Sequence, residues 1–339
     1  MKLSYFSRQL KLNHTFAVAN SSKSFAENTF VYIEFENEIG YGEVAPSYFY
    51  HENTATINQV LETVGPLLQH SRLSVQSIMS EVGKKVSGNY AARAGIEMAL
   101  MDLAAKKESK SVREFLGINK NRSLVTSFTI GIDNLNIIKE KVLDAREFPI
   151  LKIKLGTNQD FEIVEAIRSI TDKPLRIDAN EGWSREEAVE KINWLETQNV
   201  EFVEQPLPAD DIQNTAWIRE RVNVPVFADE SVKSSRDIEK LASAFDGINI
   251  KLMKCGGINE ALKMVDEARR CNLSTMLGCF IESSLGITAA ANIASLFDFV
   301  DLDGALLLKD DPFIGVSIAQ GQMTLPDKPG IGAEPVEMN

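Results

Sequence analysis

The chain has 339 residues, 44% of them hydrophobic and 25% charged, which excludes a disordered, collagen-like or coiled-coil protein. No apolar run reaches the ~18 residues of a membrane-spanning helix, and 48 acids against 36 bases leave a net charge of −12. Such a surface repels phosphate backbones, so neither a membrane nor a nucleic acid is an expected partner.

Residues 1–8 carry no apolar signal core. The three cysteines, Cys255, Cys271 and Cys279, form no metal-type pair or disulfide framework. A reducing, cytoplasmic setting is the expectation. His14, His51 and His70 all fall in the first quarter. A three-histidine zinc site or a Ser-His-Asp triad would have to be built from that segment alone. Lysine and carboxylate are left to carry chemistry. Residues 29–35 (Thr-Phe-Val-Tyr-Ile-Glu-Phe) predict a strand, residues 36–40 a turn, and a return strand completes a hairpin. Helical patterns begin at Asn53, the clearest over 90–107 with Ala92, Ile96, Ala99, Leu100 and Leu103 on one stripe. Strands before helices predict an α+β unit over residues 1–120. The length suggests a second domain, at ~150 residues each.

Beyond Leu124 short apolar strands alternate with amphipathic helices such as 185–197 and 258–270. The strands are predicted at 126–130, 151–155, 175–179, 200–205, 224–229, 247–251, 274–278 and 299–303. The residues closing them, Lys154, Asp178, Glu204, Asp229, Lys251, Gly278 and Asp301, are spaced 24, 26, 25, 22, 27 and 23 apart. Each interval holds one strand, one helix and two loops. The repeat predicts a (β/α)8 barrel of the TIM type, with its working residues at the C-terminal strand ends. An open doubly wound sheet would carry a glycine-rich phosphate turn after its first strand, and Gly131-Ile132-Asp133 is not one.

Asp178, Glu204 and Asp229 end successive strands ~4.8 Å apart and therefore converge. Carboxylates that close need a cation among them, and a hard divalent ion such as Mg²⁺ suits oxygen ligands. Single acids here would read as helix caps; three in a row favour a metal. Lys152 and Lys154 share a strand face, and mutual repulsion should lower a lysine pKa toward that of a usable base. Lys251 lies four strands on, half a turn of the ring, and so faces Lys154. Lys254 reads as a solvated rim residue. A carboxylate held by the metal and flanked by two lysines suggests α-proton removal on one face and return on the other. Asp301 and Asp303, opposite the metal, predict a substrate cation at the far end. A dipeptide has that length; a free amino acid is too short.

The motifs Leu-Lys-Ile-Lys-Leu-Gly (151–156), Arg-Ile-Asp-Ala-Asn (176–180), Val-Glu-Gln-Pro-Leu (203–207), Ala-Asp-Glu-Ser (228–231) and Asn-Ile-Lys-Leu-Met-Lys-Cys-Gly-Gly-Ile (249–258) resemble, in order and spacing, the enolase superfamily and its muconate-lactonising subgroup. The resemblance implies an α/β fold, with a barrel over 121–319 and an α+β capping domain over 1–120. The tail 320–339 would pack back on the cap. It implies one Mg²⁺ per subunit on Asp178, Glu204 and Asp229, Lys154 and Lys251 as two bases, and Lys152 tuning Lys154. The pair Asp301 and Asp303 is similar to the ammonium-binding motif of the dipeptide epimerases, and residues 286–291 fit that group. Thr129, Ser21, Cys279 and Phe280 are further candidate substrate contacts. The implied activity is Mg²⁺-dependent epimerisation of L-Ala-L/D-Xaa dipeptides at the second α-carbon.

Relatives acting on Ala-Glu carry an arginine in the early loop. Here residues 16–23 have none, Ser21 stands in that register, and Lys23 is a poorer bidentate partner for a carboxylate. Residues 47–51 are aromatic, so a broad or apolar second-residue preference is the expectation. The alternatives are a succinylbenzoate-forming syn-dehydratase or a lactonising cycloisomerase, whose substrates lack an ammonium, and a Schiff-base lyase using Lys154 or Lys251. The oligomeric state, including a homo-oligomer, stays open.

Overall fold

Residues 2–5 and 9–13 alternate between polar and apolar side chains within β1 (Lys2–Val18), which the antiparallel β2 (Ser21–Phe35) follows. The computed structural model describes residues 1–19, 21–118 and 122–336. β1 is polar enough that composition alone does not single it out. Glu36 and Asn37, at φ 49° and 66°, make a two-residue turn. The return strand β3 (Glu38–Val44) therefore starts inside the stretch predicted as turn.

Three helices follow: α1 (Thr54–Gln69), α2 (Val75–Lys85) and α3 (Tyr90–Lys107). α3 is buried nearly all round, Glu97 and Asp102 included, rather than along one stripe. The reason is its place between the cap sheet and the barrel. Tyr41 N–H donates to Asp102 on one side, and Asn259 Nδ2 donates to Glu97 Oε1 at 2.7 Å on the other. A Cβ on Gly42 would lie 2.0 Å from the Gly95 carbonyl oxygen, so only glycine permits this approach of β3 to α3.

After a short strand β4 (Leu124–Val125), eight parallel strands run in unbroken sequence order: β5 (Phe128–Ile130), β6 (Leu151–Lys154), β7 (Leu175–Asp178), β8 (Val200–Glu204), β9 (Val226–Ala228), β10 (Gly247–Lys251), β11 (Ser274–Gly278) and β12 (Phe299–Asp301). The ends meet where Ser127 N–H donates to Val300 O and Leu302 N–H to Thr126 Oγ1. The ring is a nearly closed (β/α)8 barrel. Several strands stop short of the predicted ends, which leaves Asp229 and Asp303 just beyond β9 and β12. Phe202, Phe227 and Phe299 stack with centroids 4.3–5.6 Å apart and plug the floor, with the Arg176 guanidinium over two of the rings. Everything above rests on this packed layer.

The chain's end packs first beside the barrel and then on the cap. Gln322–Thr324 pairs with β4, and Ile331 N–H donates to buried Asp102 at 2.6 Å. The expected boundary at 120/121 falls in 119–121, outside the described residues. Among the described residues no helix is long and apolar enough to cross a membrane.

Candidate active site

Parallel register aligns the strand ends and therefore their polar residues: Lys154 pairs with Asp178, and Asp178 with Glu204. Asp178, Glu204 and Asp229 bring carboxylate oxygens within 4.8 Å of one another, all buried. Hard, buried oxygen donors at this separation fit a Mg²⁺-type ion. Lysines surround them. Lys154 Nζ donates to Asp178 Oδ2 at 2.5 Å, and Lys251 Nζ to Asp229 Oδ2 at 2.6 Å. Lys152 Nζ spans the barrel, 2.7 Å from both Glu204 Oε2 and Asp301 Oδ2 and 3.4 Å from Asp178 Oδ2.

This geometry changes one expectation. Lys152 does not have a lowered pKa. Burial works against its charge, but Asp301, Glu204 and Asp178 outweigh burial and raise its pKa well above that of free lysine. Burial likewise opposes ionisation of Asp229, yet Lys251 and Lys254 hold it well below the usual carboxylate range. Glu204 is pushed up to about 7 by burial and by Asp178. Lys254 is the second correction. It is 1% exposed, because the one-turn helix Leu252–Cys255 folds it back onto Asp229 instead of out to water.

Asp301 and Asp303 both reach the first two barrel strands. Asp301 accepts from Ser127 Oγ at 2.6 Å and from Lys152, so both of its oxygens are engaged, and its pKa falls to about 2. Asp303 accepts from the Thr129 backbone N–H at 2.6 Å. Burial first, and the Asp301 charge second, push it to about 7. Of the pair, Asp303 is the one that lacks a cation partner among the described residues. Cys279 and Phe280 follow β11; the Phe280 ring lies 5.1 Å from Lys251 Nζ, and burial raises the Cys279 thiol pKa.

Lys152, Lys154, Asp229, Lys251, Asp301 and Asp303 line one cleft of about 560 Å³, whose roof is made by the cap. The tip of the β1–β2 hairpin lies on the barrel loops, with Ile132 N–H donating to Ala17 O at 2.9 Å. Gly156 beneath it sits at φ +102°, and a Cβ there would lie 2.9 Å from that of Ala19. Ser21 and Lys23 lie on this tip and line the cleft; Asn20, between them and Ala19, is outside the described residues. Lys23 has no carboxylate in ion-pair range among the described residues, and burial lowers its pKa. Tyr50 lies beside Phe280 (6.4 Å between centroids) and beneath Lys233 Nζ (5.0 Å), while Tyr48 is 74% exposed. Sequence patterning missed Asn249, whose Nδ2 donates to Glu204 Oε1 at 2.7 Å, and Gln205, whose Oε1 accepts from Asp229 N–H at 2.9 Å. The only sequence signal for either is its place beside a motif acid or lysine.

Comparison with known proteins agrees with this architecture. Residues 6–117 match the mandelate racemase/muconate lactonizing enzyme N-terminal domain, and residues 138–338 the enolase C-terminal domain-like family. An L-Ala-D/L-Glu epimerase of Bacteroides thetaiotaomicron is 40% identical, over 98% of this chain and 87% of that protein. An L-Ala-D/L-amino acid epimerase of Pedosphaera parvula is 37% identical over 97% of both chains. The solved dipeptide epimerase of Cytophaga hutchinsonii, complexed with Mg and D-Ala-L-Val, superposes with a TM-score of 0.94 at 30% identity, covering 99% of this chain and 95% of that one.

Proposed function

The chain belongs to the mandelate racemase/muconate lactonizing enzyme family of the enolase superfamily, and from that premise we propose that it is a Mg²⁺-dependent dipeptide epimerase. It inverts the α-carbon of the C-terminal residue of L-Ala-L/D-Xaa. The observation that carries this reading is the pair of buried ammonium groups, Lys154 and Lys251, each on a different outer carboxylate of the acidic trio.

Asp178, Glu204 and Asp229 would hold the cation, which when bound supplies electrostatic stabilisation to the ene-diolate of the substrate carboxylate. The remaining work belongs to the chain's own side chains. Lys154 and Lys251 stand half a barrel turn apart, so one Nζ takes the α-proton and the other returns a proton to the opposite face. Asp303, beside the Thr129 amide, receives the substrate ammonium and fixes the dipeptide's direction. Lys152 neutralises Glu204 and Asp301 and so holds the two ends of the site at a set distance. The plugged floor and capped mouth limit water around the exchanging proton.

We further propose broad acceptance of the second residue. The aromatic stretch 48–50 suits apolar side chains, and the Lys23 ammonium, without an acidic partner among the described residues, suits acidic ones. A syn-dehydratase or cycloisomerase would leave Asp303 without a cation. The test is incubation in D₂O with Mg²⁺ and an L-Ala-L-Xaa library, read by mass spectrometry. One deuterium should enter the C-terminal residue's α-carbon. No exchange with any dipeptide would refute the reading.

A further inference from the structure

Each carboxylate of the acidic trio has one oxygen anchored away from the lysines that flank the site. Asp178 Oδ1 accepts the Asn180 backbone N–H at 3.0 Å, and Glu204 Oε1 accepts Asn249 Nδ2 at 2.7 Å. Asp229 Oδ1 accepts a short bond from Lys254 Nζ. The second oxygen of each, Asp178 Oδ2, Glu204 Oε2 and Asp229 Oδ2, meets Lys154, Lys152 and Lys251 respectively. Two of the anchors are neutral amides; the third is a whole ammonium, sealed from water.

Lys254 is saturated by this arrangement. Its three N–H groups go to Asp229 Oδ1, to the Asp229 carbonyl at 2.6 Å and to the Asn249 carbonyl at 2.8 Å. With Gln205 Oε1 accepting the Asp229 N–H, Asp229 is held by its backbone donor, its backbone acceptor and one carboxylate oxygen. Asn249, tied to Lys254 through its carbonyl and to Glu204 through its amide, links two of the three acids. A buried charge is costly to fold unless every hydrogen finds a partner. Here the fold satisfies all three without using Asp229 Oδ2, which meets Lys251 instead.

We propose that Lys254 is a positioning residue that makes Asp229 a one-oxygen ligand and thereby favours Mg²⁺ over Ca²⁺. This rests on the trio being the metal site, as argued above. Mg²⁺ demands a small octahedral shell, whereas Ca²⁺ accepts two oxygens of one carboxylate and more ligands in total. Oδ1 is committed to the saturated Lys254, whereas Oδ2 meets Lys251, the base that must be free to move its proton, so the carboxylate offers Oδ2 alone to a cation. Loss of the anchor frees Asp229 to rotate and chelate, which suits the larger ion. Groups that orient metal ligands commonly contribute 10–100-fold to affinity.

The test is titration calorimetry of the full chain with Mg²⁺ alone and with Ca²⁺ alone. Lys254→Met should weaken Mg²⁺ binding 10–100-fold and Ca²⁺ binding less, so that the preference for Mg²⁺ shrinks about tenfold. Lys254→Gln, which retains two N–H donors without the charge, should lie between Met and the native residue. If Lys254 served only as a counter-charge, both variants would bind both ions more tightly with the ratio unchanged, and that outcome overturns the proposal. A crystal structure of the native chain with Mg²⁺ gives a check that needs no variant to fold. Asp229 should ligate through Oδ2 alone, with Oδ1 still on Lys254 Nζ; bidentate ligation by Asp229 overturns the proposal and leaves the epimerase reading intact. Absence of Mg²⁺ from the trio would overturn the functional reading together with it.

Discussion

The mouth of the barrel and the roof above it are built by different rules. At the mouth Lys152, Lys154, Asp178, Glu204, Asp229 and Lys251 are buried and engaged in hydrogen bonds and ion pairs shorter than 3 Å. In the roof Tyr48 and Phe49 are 74% and 47% exposed, and Lys23 has no acidic partner among the described residues. A site that must place protons within fractions of an ångström is set on strands whose register the whole barrel enforces. The surface proposed to accept varied side chains is set on a hairpin tip and a loop, where substitution disturbs little else. On the proposed function, chemistry and selectivity are therefore separable in this molecule.

That separation can be broken from the mouth first. Lys154→Ala and Lys251→Ala should each lower epimerisation by ~10²–10⁴-fold, the range of a positioned acid or base. The split between them is sharper than the loss. Each variant should lose deuterium exchange from one enantiomer of the second residue more than from the other, as followed by NMR in D₂O. Equal loss from both would argue against two bases of opposite face.

Asp303→Asn comes next in size. A hydrogen bond to a charged group contributes ~1.5–3 kcal/mol, so KM for dipeptides should rise about 10–100-fold with kcat less affected. N-acetylated dipeptides, which lack the ammonium, should respond far less to the same substitution. An identical response to both substrates would remove Asp303 from substrate binding.

The roof should give smaller and more selective effects. Lys23→Met should lower kcat/KM for L-Ala-L-Glu several-fold and leave L-Ala-L-Leu unchanged, in keeping with ~1 kcal/mol for a partly exposed ion pair. A parallel fall for both dipeptides would mean that the tip acts only as a cover.

The smallest effect concerns stability. Glu52, 3% exposed beneath the aromatic loop and near the Ala91 amide, is pushed by burial to a pKa of about 7. The native state then binds more protons than the unfolded chain between ~4.3 and 7, so this group's contribution falls as pH rises through that window. Glu52→Gln should flatten that part of the stability profile in urea titrations. A steeper slope in the variant would contradict the assignment.

The convergence of the barrel's acids and lysines was legible because strand ends recur at nearly constant spacing, and a parallel ring turns spacing into proximity. The acids and lysines stand on that ring. The hairpin was half legible: its aromatic second strand announces itself, whereas β1, with the polar runs Ser7-Arg8-Gln9 and Asn13-His14-Thr15, does not. Asp301 shows a subtler limit. Alternation brings it to the site, but only the packed barrel reveals that Lys152 and Ser127 already occupy both of its oxygens.

The sequence by itself determined the barrel, the trio of acids and the opposed lysines, because each follows from a period carried along the chain. Tertiary structure alone decided the fate of Lys254. Three residues past a strand end, its side chain is free by local rules to point to water or inward. The one-turn helix Leu252–Cys255, closed by Gly256 and Gly257 at positive φ, sends it inward, where two carbonyls and a carboxylate from neighbouring strands fill its three donor positions. The two carbonyls and the carboxylate come from Asp229 and Asn249, 25 and 5 residues earlier in the chain, and only the closed ring assembles them around one ammonium.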